Sequence, residues 1–306
     1  MINFDEVYAF KTKTSKYVCV LLDFQRQIPI DILNSRRLDR LISYFHNIPL
    51  EERKNVHICC ADMYTVYRDV VRACLPNATM IVDHFHVSQE LHRELDAVRI
   101  RAMKGCDRDS DGYYLLKKFN WILFKHADAR DRKNRDLFDP GAERIYNYHF
   151  QSYLNYYEIR EKLLAVSPEL EAAWKLKDKI VDFYDQATID NAEEKLIELI
   201  REFKNSPISE MSAFGRTLSN WKFEIIHSFR IVGHDYRVEA DTGRVAIRNM
   251  KMNNAIIENR NAIIKCIKKN ANGYTNWDRF RNRVLYVLDK DANFLMNPIP
   301  LPKKKA

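Results

Sequence analysis

The chain opens with three β-rich runs before any helical pattern begins. The runs from Phe4 to Phe10 and from Tyr17 to Phe24 flank a polar Lys11 to Lys16 stretch, which predicts a hairpin, and Ile28 to Leu33 follows closely. Leu38, Leu41, Ile42 and Phe45 then recur at helical spacing and stop before Pro49. Val56 to Ala61 reads as a buried strand, Val66 to Leu75 as a helix stopped by Pro76, and Thr79 to Val82 as another strand. The order is βββαβαβ. Short turns can join antiparallel neighbours, whereas strands separated by a helix pair in parallel, so this order predicts a mixed sheet.

That is the order of a ribonuclease H-like α/β core. From about Ser88 to Gly243 the pattern turns helical. Leu91, Leu95 and Val98 share one face, and Tyr114 to Phe124, Tyr146 to Leu164, Glu169 to Tyr184 and Ala192 to Phe203 carry apolar residues three and four apart. A large all-α insertion interrupting the sheet is expected. Its dense aromatics (Trp121, Phe124, Tyr146, Tyr148, Phe150, Tyr153, Tyr156, Tyr157) read as a bundle core in preference to a platform for stacking bases. Two further helices follow, from Asn253 to Lys269 with a left-handed cap region at Gly273, and from Asn276 to Leu288. The expected organisation is core 1–90, helical insertion 91–243, C-terminal core helices 244–290 and a basic tail 291–306.

Charge narrows the partner. Residues 244–306 hold fourteen Lys or Arg against four Asp or Glu, a surplus of ten, while the preceding 243 hold thirty-six against thirty-eight. The whole net charge of +8 is therefore C-terminal. A basic segment on a balanced body suits a polyanion such as DNA or RNA, and equally a solvated helix face. None of the 7 glycines falls in a dinucleotide or P-loop spacing, so no nucleotide cofactor is expected. The six cysteines form no C-x-x-C, which argues against structural zinc and predicts reduced core residues. With Asp5 and Glu6 where a leader would be basic and apolar, and apolar runs far short of a span, a cytoplasmic chain without a membrane partner is expected.

Three acids fall where a ribonuclease H-like core would gather them. Asp5 lies in the first strand, Asp62 directly after the fourth, and Glu258 on the helix after the insertion. Clustered carboxylates repel one another unless a cation neutralises them. Mg²⁺ or Mn²⁺, as two ions, would suit hard oxygen ligands and support phosphodiester displacement without a protein nucleophile. Singly, each acid also has an ordinary structural reading: Asp5 as an edge or turn residue, Asp62 as a helix N-cap, Glu258 as an exposed ion-pair partner.

Five ordered blocks carry a resemblance: INFDEVYAFK from Ile2, CADMYTVY from Cys60, PNATMIVDHFHV from Pro76, NAIIENRNAIIK from Asn254 and NGYTNWDRFRNRVL from Asn272. Together they resemble the ISL-three family of bacterial insertion-sequence transposases. The resemblance implies that Asp5, Asp62 and Glu258 form a DDE catalytic triad and metal site, with Asp83 and His86 as an accessory D-x-x-H element. Asp83 and His86 read otherwise as a helix cap and a core histidine. Asn259 stands where the family commonly has glycine. The family's N-terminal zinc and helix-turn-helix segments have no counterpart ahead of Asp5, which predicts weak DNA binding with little sequence preference.

Asn254, Asn261 and Lys265 share the helix face of Glu258 and are candidates to meet a phosphate. Arg260, Lys268 and Lys269 lie to the side, and with Arg279, Arg281 and Arg283 on the next helix they are candidates to track a DNA backbone. The function expected is metal-dependent phosphodiester hydrolysis and strand transfer of insertion-sequence DNA, on transposon ends and target, by a bacterial chain of the cytosol or nucleoid that could assemble as a homo-oligomer on DNA. The alternatives are an inactive or repurposed remnant that binds DNA non-specifically, and a metal-dependent nuclease without strand transfer.

Overall fold

The structure, a computed structural model, describes residues 1–11, 16–238 and 245–289. Runs bounded or filled by Val, Ile, Leu and Phe build β1 (Ile2–Val7), β2 (Val18–Asp23) and β3 (Ile28–Leu33). Helix α1 (Leu38–His46) follows with Leu41 and Phe45 buried, then a short α2 (Leu50–Lys54) that starts after Pro49 and was not expected from periodicity. Next come β4 (Ile58–Ala61), α3 (Thr65–Cys74) and β5 (Thr79–Val82). The strands form one mixed sheet in the order β3-β2-β1-β4-β5. β1 runs antiparallel to β2 and parallel to β4, and β2 runs antiparallel to β3.

The segment expected to be all helical is not. Helix α4 (His84–Lys104) buries Leu91, Leu95 and Val98 as their spacing predicts. The stretch 111–124 divides into α5 (Asp111–Lys118), capped by Ser110, and a 3-10 turn Asn120–Phe124. The expected helix from Tyr146 to Leu164 is instead a hairpin, β6 (Ile145–Asn147) with β7 (Ser152–Leu154), followed by α6 (Tyr156–Leu164). Tyr146 and Tyr153 sit opposite each other across that hairpin, and with Phe150 between them they also match the three-and-four spacing of a helix. Asn155 fixes the true helix start through a reciprocal capping box with Glu158.

Helices α7 (Pro168–Gln186) and α8 (Ala192–Lys204) match the expected spans closely. α9 (Ser209–Asn220), α10 (Lys222–His227) and the antiparallel pair β8 (Ile231–Val238) and β9 (Val245–Lys251) were not anticipated. The chain closes with α11 (Ala255–Asn270) and α12 (Trp277–Leu288). Between them Asn272, φ +53°, takes the left-handed cap position, Gly273 N closes the turn onto Lys268 O at 3.0 Å, and Asn276 caps α12 by accepting from Arg279 N at 2.9 Å. The expected tail 291–306 lies outside the described residues.

The chain divides into two compact units, residues 1–80 with those from Asn253 onward, and Ile81–Met252. In the first, the odd residues of β1 and even residues of β2 face α11 and α12, where Val7, Val18, Val20, Leu22, Ile257, Ile264, Phe280 and Val284 form a core. On the opposite face Phe4 packs on Phe45 and Tyr67, with ring centroids 5.9 and 5.5 Å away. The sheet is thus covered on both faces. Cys19, Cys59, Cys60 and Cys74 are buried and unbridged, as expected, and burial pushes the Cys59 thiol up to about 12. Cys106 is half-buried and Cys266 exposed, so these two are not core residues.

Candidate active site

The first two acids belong to neighbouring strands: Asp5 lies in β1, and Asp62 comes directly after β4. β1 and β4 pair in parallel with Ile2 opposite Cys59 and Asn3 opposite Cys60. β4 ends at Ala61, immediately before Asp62. Asp5 shares the β1 face that α11 covers, with Val7 and Asn3. Asp5 is 8% exposed. Its Oδ1 accepts from Glu6 N at 2.8 Å and its Oδ2 from Asn261 Nδ2 at 2.7 Å. Asp62 is half-buried, and its Oδ1 accepts from Tyr64 N at 3.1 Å at the mouth of α3.

Glu258 comes from α11. It lies one turn ahead of Asn261, on the stripe that faces β1, and is half-buried. That stripe is pinned by amides: Asn3 Nδ2 donates to Asn254 Oδ1 at 2.8 Å and to Asn253 O at 2.7 Å. The sequence offered a signal for this seam that the motif reading missed. Asn3 and Asp5 share one strand face, and Asn254 and Asn261 are seven apart on a helix, so both polar pairs can meet. The amides of Asn254 and Asn261, expected to donate to a phosphate, are instead buried against β1.

Acidic charge collects at this end of the sheet. Burial first, then the nearby Asp5, Glu6 and Asp62, raises the Cys19 thiol, and the Tyr67 phenol is raised by burial first and then by Cys19, Asp62 and Glu6. Glu6 pairs with Arg36, whose guanidinium sits 4.5 Å over the Tyr17 ring and 4.8 Å over the Tyr64 ring. By donor chemistry Asp5, Asp62 and Glu258 fit a hard divalent cation. They do not form a closed cage: among the described residues no three His, Cys, Asp or Glu side chains gather closely enough to hold one metal ion.

Asp83 is buried and caps α4, accepting from Phe85 N at 3.0 Å, and it also lies 3.1 Å from His84 Nδ1. That contact is the first cause of a raised His84 pKa. His86 is half-buried with its ring 5.5 Å from that of Phe85, which is itself 48% exposed.

The basic candidates separate into two groups. Lys265, Lys269, Arg279 and Arg283 are exposed on α11 and α12. Lys268 is half-buried with its ammonium 4.8 Å over the Tyr8 ring, and Lys265, Lys268, Lys269 and Tyr8 line one concavity at the end of α11. Arg260 donates to Gln27 O at 3.2 Å, and Arg281 Nε to the buried Asp31 at 2.8 Å. Arg281, expected on a DNA backbone, is therefore an anchor of α12 to β3.

Residues 2–240 match a protein family described as transposase, a span that contains Asp5, Asp62, Asp83 and His86 and ends ahead of Glu258. The chain is also similar to the transposase for insertion sequence element IS1001 of Bordetella parapertussis, at 23% identity over 270 residues, which cover 88% of this chain and 56% of that protein. It thus spans little more than half the length of that curated relative. The class is that of the DDE transposases. Within it, the chain belongs to the ISL-three family. No helix among the described residues is long and apolar enough to cross a membrane.

Proposed function

We propose that the chain carries the catalytic centre of an insertion-sequence transposase, performing metal-dependent phosphodiester hydrolysis and strand transfer on transposon ends and target DNA. The observation that supports the reading is the parallel pairing of β1, which bears Asp5, with β4, which leads into Asp62, together with the bond from Asn261 on the Glu258 helix to Asp5. The sheet order and direction support reading the first unit as a ribonuclease H-like core. Asp5, Asp62 and Glu258 would hold Mg²⁺ or Mn²⁺. When bound, two such ions would activate the attacking oxygen and stabilise the leaving one.

The chain's own residues do the rest. Asn261 orients the Asp5 carboxylate by donating to one of its oxygens. The Asn3 and Asn254 pair fixes the start of α11, and hence the height of Glu258 above the sheet. Lys265, Lys269, Arg279 and Arg283 offer exposed charge for positioning phosphates without reading sequence. Asp83 sets the start of α4, and with it the place of His86, in an accessory role. The setting proposed is the bacterial cytosol or nucleoid, where the chain would work as a homo-oligomer on DNA.

A second reading, a non-catalytic DNA-binding remnant, draws on the open arrangement of the acids and on Asp5 having both oxygens engaged within the protein. Nicking of supercoiled DNA separates the two. The catalytic reading expects nicking in Mg²⁺ or Mn²⁺, none in EDTA, and none from Asp62→Asn at unchanged DNA affinity. Absence of metal-dependent nicking by the native chain on DNA carrying the element's ends, or its persistence in Asp62→Asn, would refute it.

A further inference from the structure

Sequence periodicity assigned the aromatics around residue 150 to a bundle core, and the structure turns several of them outward. Tyr148 is 87% exposed, Tyr153 64% and Tyr146 39%. The three form a connected cluster on the β6 and β7 hairpin: Tyr146 lies 5.1 Å from Tyr148 and 5.2 Å from Tyr153, in edge-on contacts. A cluster of exposed rings this large on a charged protein marks a surface that something else covers.

The cluster is held in place. Asn147 Oδ1 accepts from Tyr114 Oη at 3.2 Å and from His149 N at 3.0 Å. The His149 ring stacks on Tyr114 at 3.9 Å with an interplanar angle of 8°, and its Nε2 lies 2.9 Å from an Asp111 carboxylate oxygen. The hairpin loop is therefore braced against α5 with its tyrosines directed outward. Beneath it is a cavity of about 230 Å³ lined in part by Tyr114, Phe119, Tyr146, Tyr148 and Tyr156. This is smaller than the roughly 300–1,000 Å³ of a drug-sized ligand pocket, and a flat heteroaromatic ring suits it better.

Charge decides the occupant. The Lys118 ammonium lies 5.3 Å over the Tyr114 ring and the Lys162 ammonium 5.4 Å over the Phe150 ring, and both lysines are exposed. Aromatic faces interleaved with ammonium groups complement a strand of unpaired bases: rings stack on bases of any sequence while the cations meet the phosphates. Glu143 also lines the cavity, and a carboxylate there suits the exocyclic amine of cytosine or adenine.

We infer that the β6 and β7 hairpin is a binding site for unpaired bases of single-stranded DNA, with Tyr148 and Tyr153 as stacking surfaces and Lys118 and Lys162 as phosphate partners. It deepens the proposed transposase function, since DNA being cut and rejoined presents unpaired ends, and it rests on that reading only for the identity of the nucleic acid.

The test uses the full chain in EDTA, so that it is independent of cleavage. An oligonucleotide with 2-aminopurine at one position reports stacking by loss of fluorescence, and anisotropy reports affinity for a single strand and for a duplex of the same sequence. The native chain should quench the probe in the single strand. The double variant Tyr148→Ala with Tyr153→Ala should bind the single strand roughly tenfold more weakly, and the corresponding Phe pair should retain affinity. Both positions are exposed, so an unchanged circular dichroism melt is expected to accompany the loss. No quenching by the native chain, or single-strand affinity in the Ala pair within about twofold of native, would overturn the inference. A changed oligomeric state with unaltered single-strand affinity would overturn it equally, by giving the patch to a second copy of the chain. Nicking lost in Asp62→Asn with quenching intact would leave this site standing, and loss of quenching with nicking intact would remove this site alone.

Discussion

The Asn261 amide donates to Asp5 Oδ2 at 2.7 Å, and both side chains are buried. One contact thereby ties helix α11 to the strand that carries the first acid. Removing it in Asn261→Ala takes one donor from a buried carboxylate, which costs about 1–3 kcal/mol. Urea unfolding should show that loss. Asn261→Asp should be worse in EDTA, because two carboxylates then face each other, and Mg²⁺ should recover part of the loss. Equal stability of Asn261→Asp and Asn261→Ala with and without Mg²⁺ would contradict this account of the seam.

Arg281 and the exposed lysines of α11 should behave differently. Arg281 Nε is spent on Asp31, which is 8% exposed and also accepts from Ile32 N at 2.7 Å. Arg281→Ala should lower the melting temperature and leave the salt dependence of DNA binding unchanged. Lys265→Ala or Lys269→Ala should leave the melting temperature alone and reduce the slope of log K against log salt by about one each if they meet phosphates. Anisotropy titrations at several salt concentrations, beside thermal melts, distinguish the two groups.

His92 gives the helical unit a pH dependence. Burial lowers its pKa from 6.5, the nearby Lys177 lowers it further, and its ring lies 5.2 Å from that of Phe124. A folded-state value below the unfolded one means that the unfolded chain binds the extra proton. The contribution is therefore fully present above about pH 6.5 and is lost as pH falls through the folded value. His84 is shifted upward by Asp83, in the opposite sense, so the bulk profile mixes the two. The difference in unfolding free energy between native and His92→Phe, measured from pH 7.5 to pH 5, isolates the term. It should change in favour of His92→Phe as pH falls, and a constant difference would rule the term out.

Helices α8 and α9 meet at Gly215. A Cβ there would lie 2.7 Å from Lys204 N and 2.9 Å from Phe203 Cβ, and the first of these is backbone that cannot swing aside. Gly215→Ala gains helix propensity and is still expected to lose about 1–3 kcal/mol from the forced separation. Guanidinium unfolding measures the balance, and a stabilised variant would mean that the helices part at little cost.

How far the sequence could be read follows from which interactions are local. β1 to β4 are legible because each run is β-rich, and Asp5 and Asp62 lie in and directly after strands that pair in parallel. The face of α11 was harder. Asn254 and Asn261 looked like donors to an outside phosphate, since a single sequence does not reveal that Asn3 and Asp5 will meet them. The hairpin at Tyr146 and Tyr153 is hidden in the sequence because Tyr146, Phe150 and Tyr153, four and three apart, fit a helix as well as two paired strands. The Asn155 and Glu158 capping signature marked the true boundary and outweighed that periodicity. Arg281 was legible as a charge and not as a partner of Asp31, which is remote in sequence.

Asp5, Asp62 and Glu258 are proposed to act as one cation-dependent site on DNA. Single-turnover cleavage of a DNA substrate carrying the element's ends, in Mn²⁺, tests it most directly when Asp5→Asn, Asp62→Asn, Glu258→Gln and the triple variant are compared at saturating protein. Groups that work as a unit are strongly non-additive, so each single variant should fall to the same residual rate as the triple. Single variants that retain substantial cleavage, or whose losses multiply independently toward that of the triple, would contradict a shared site.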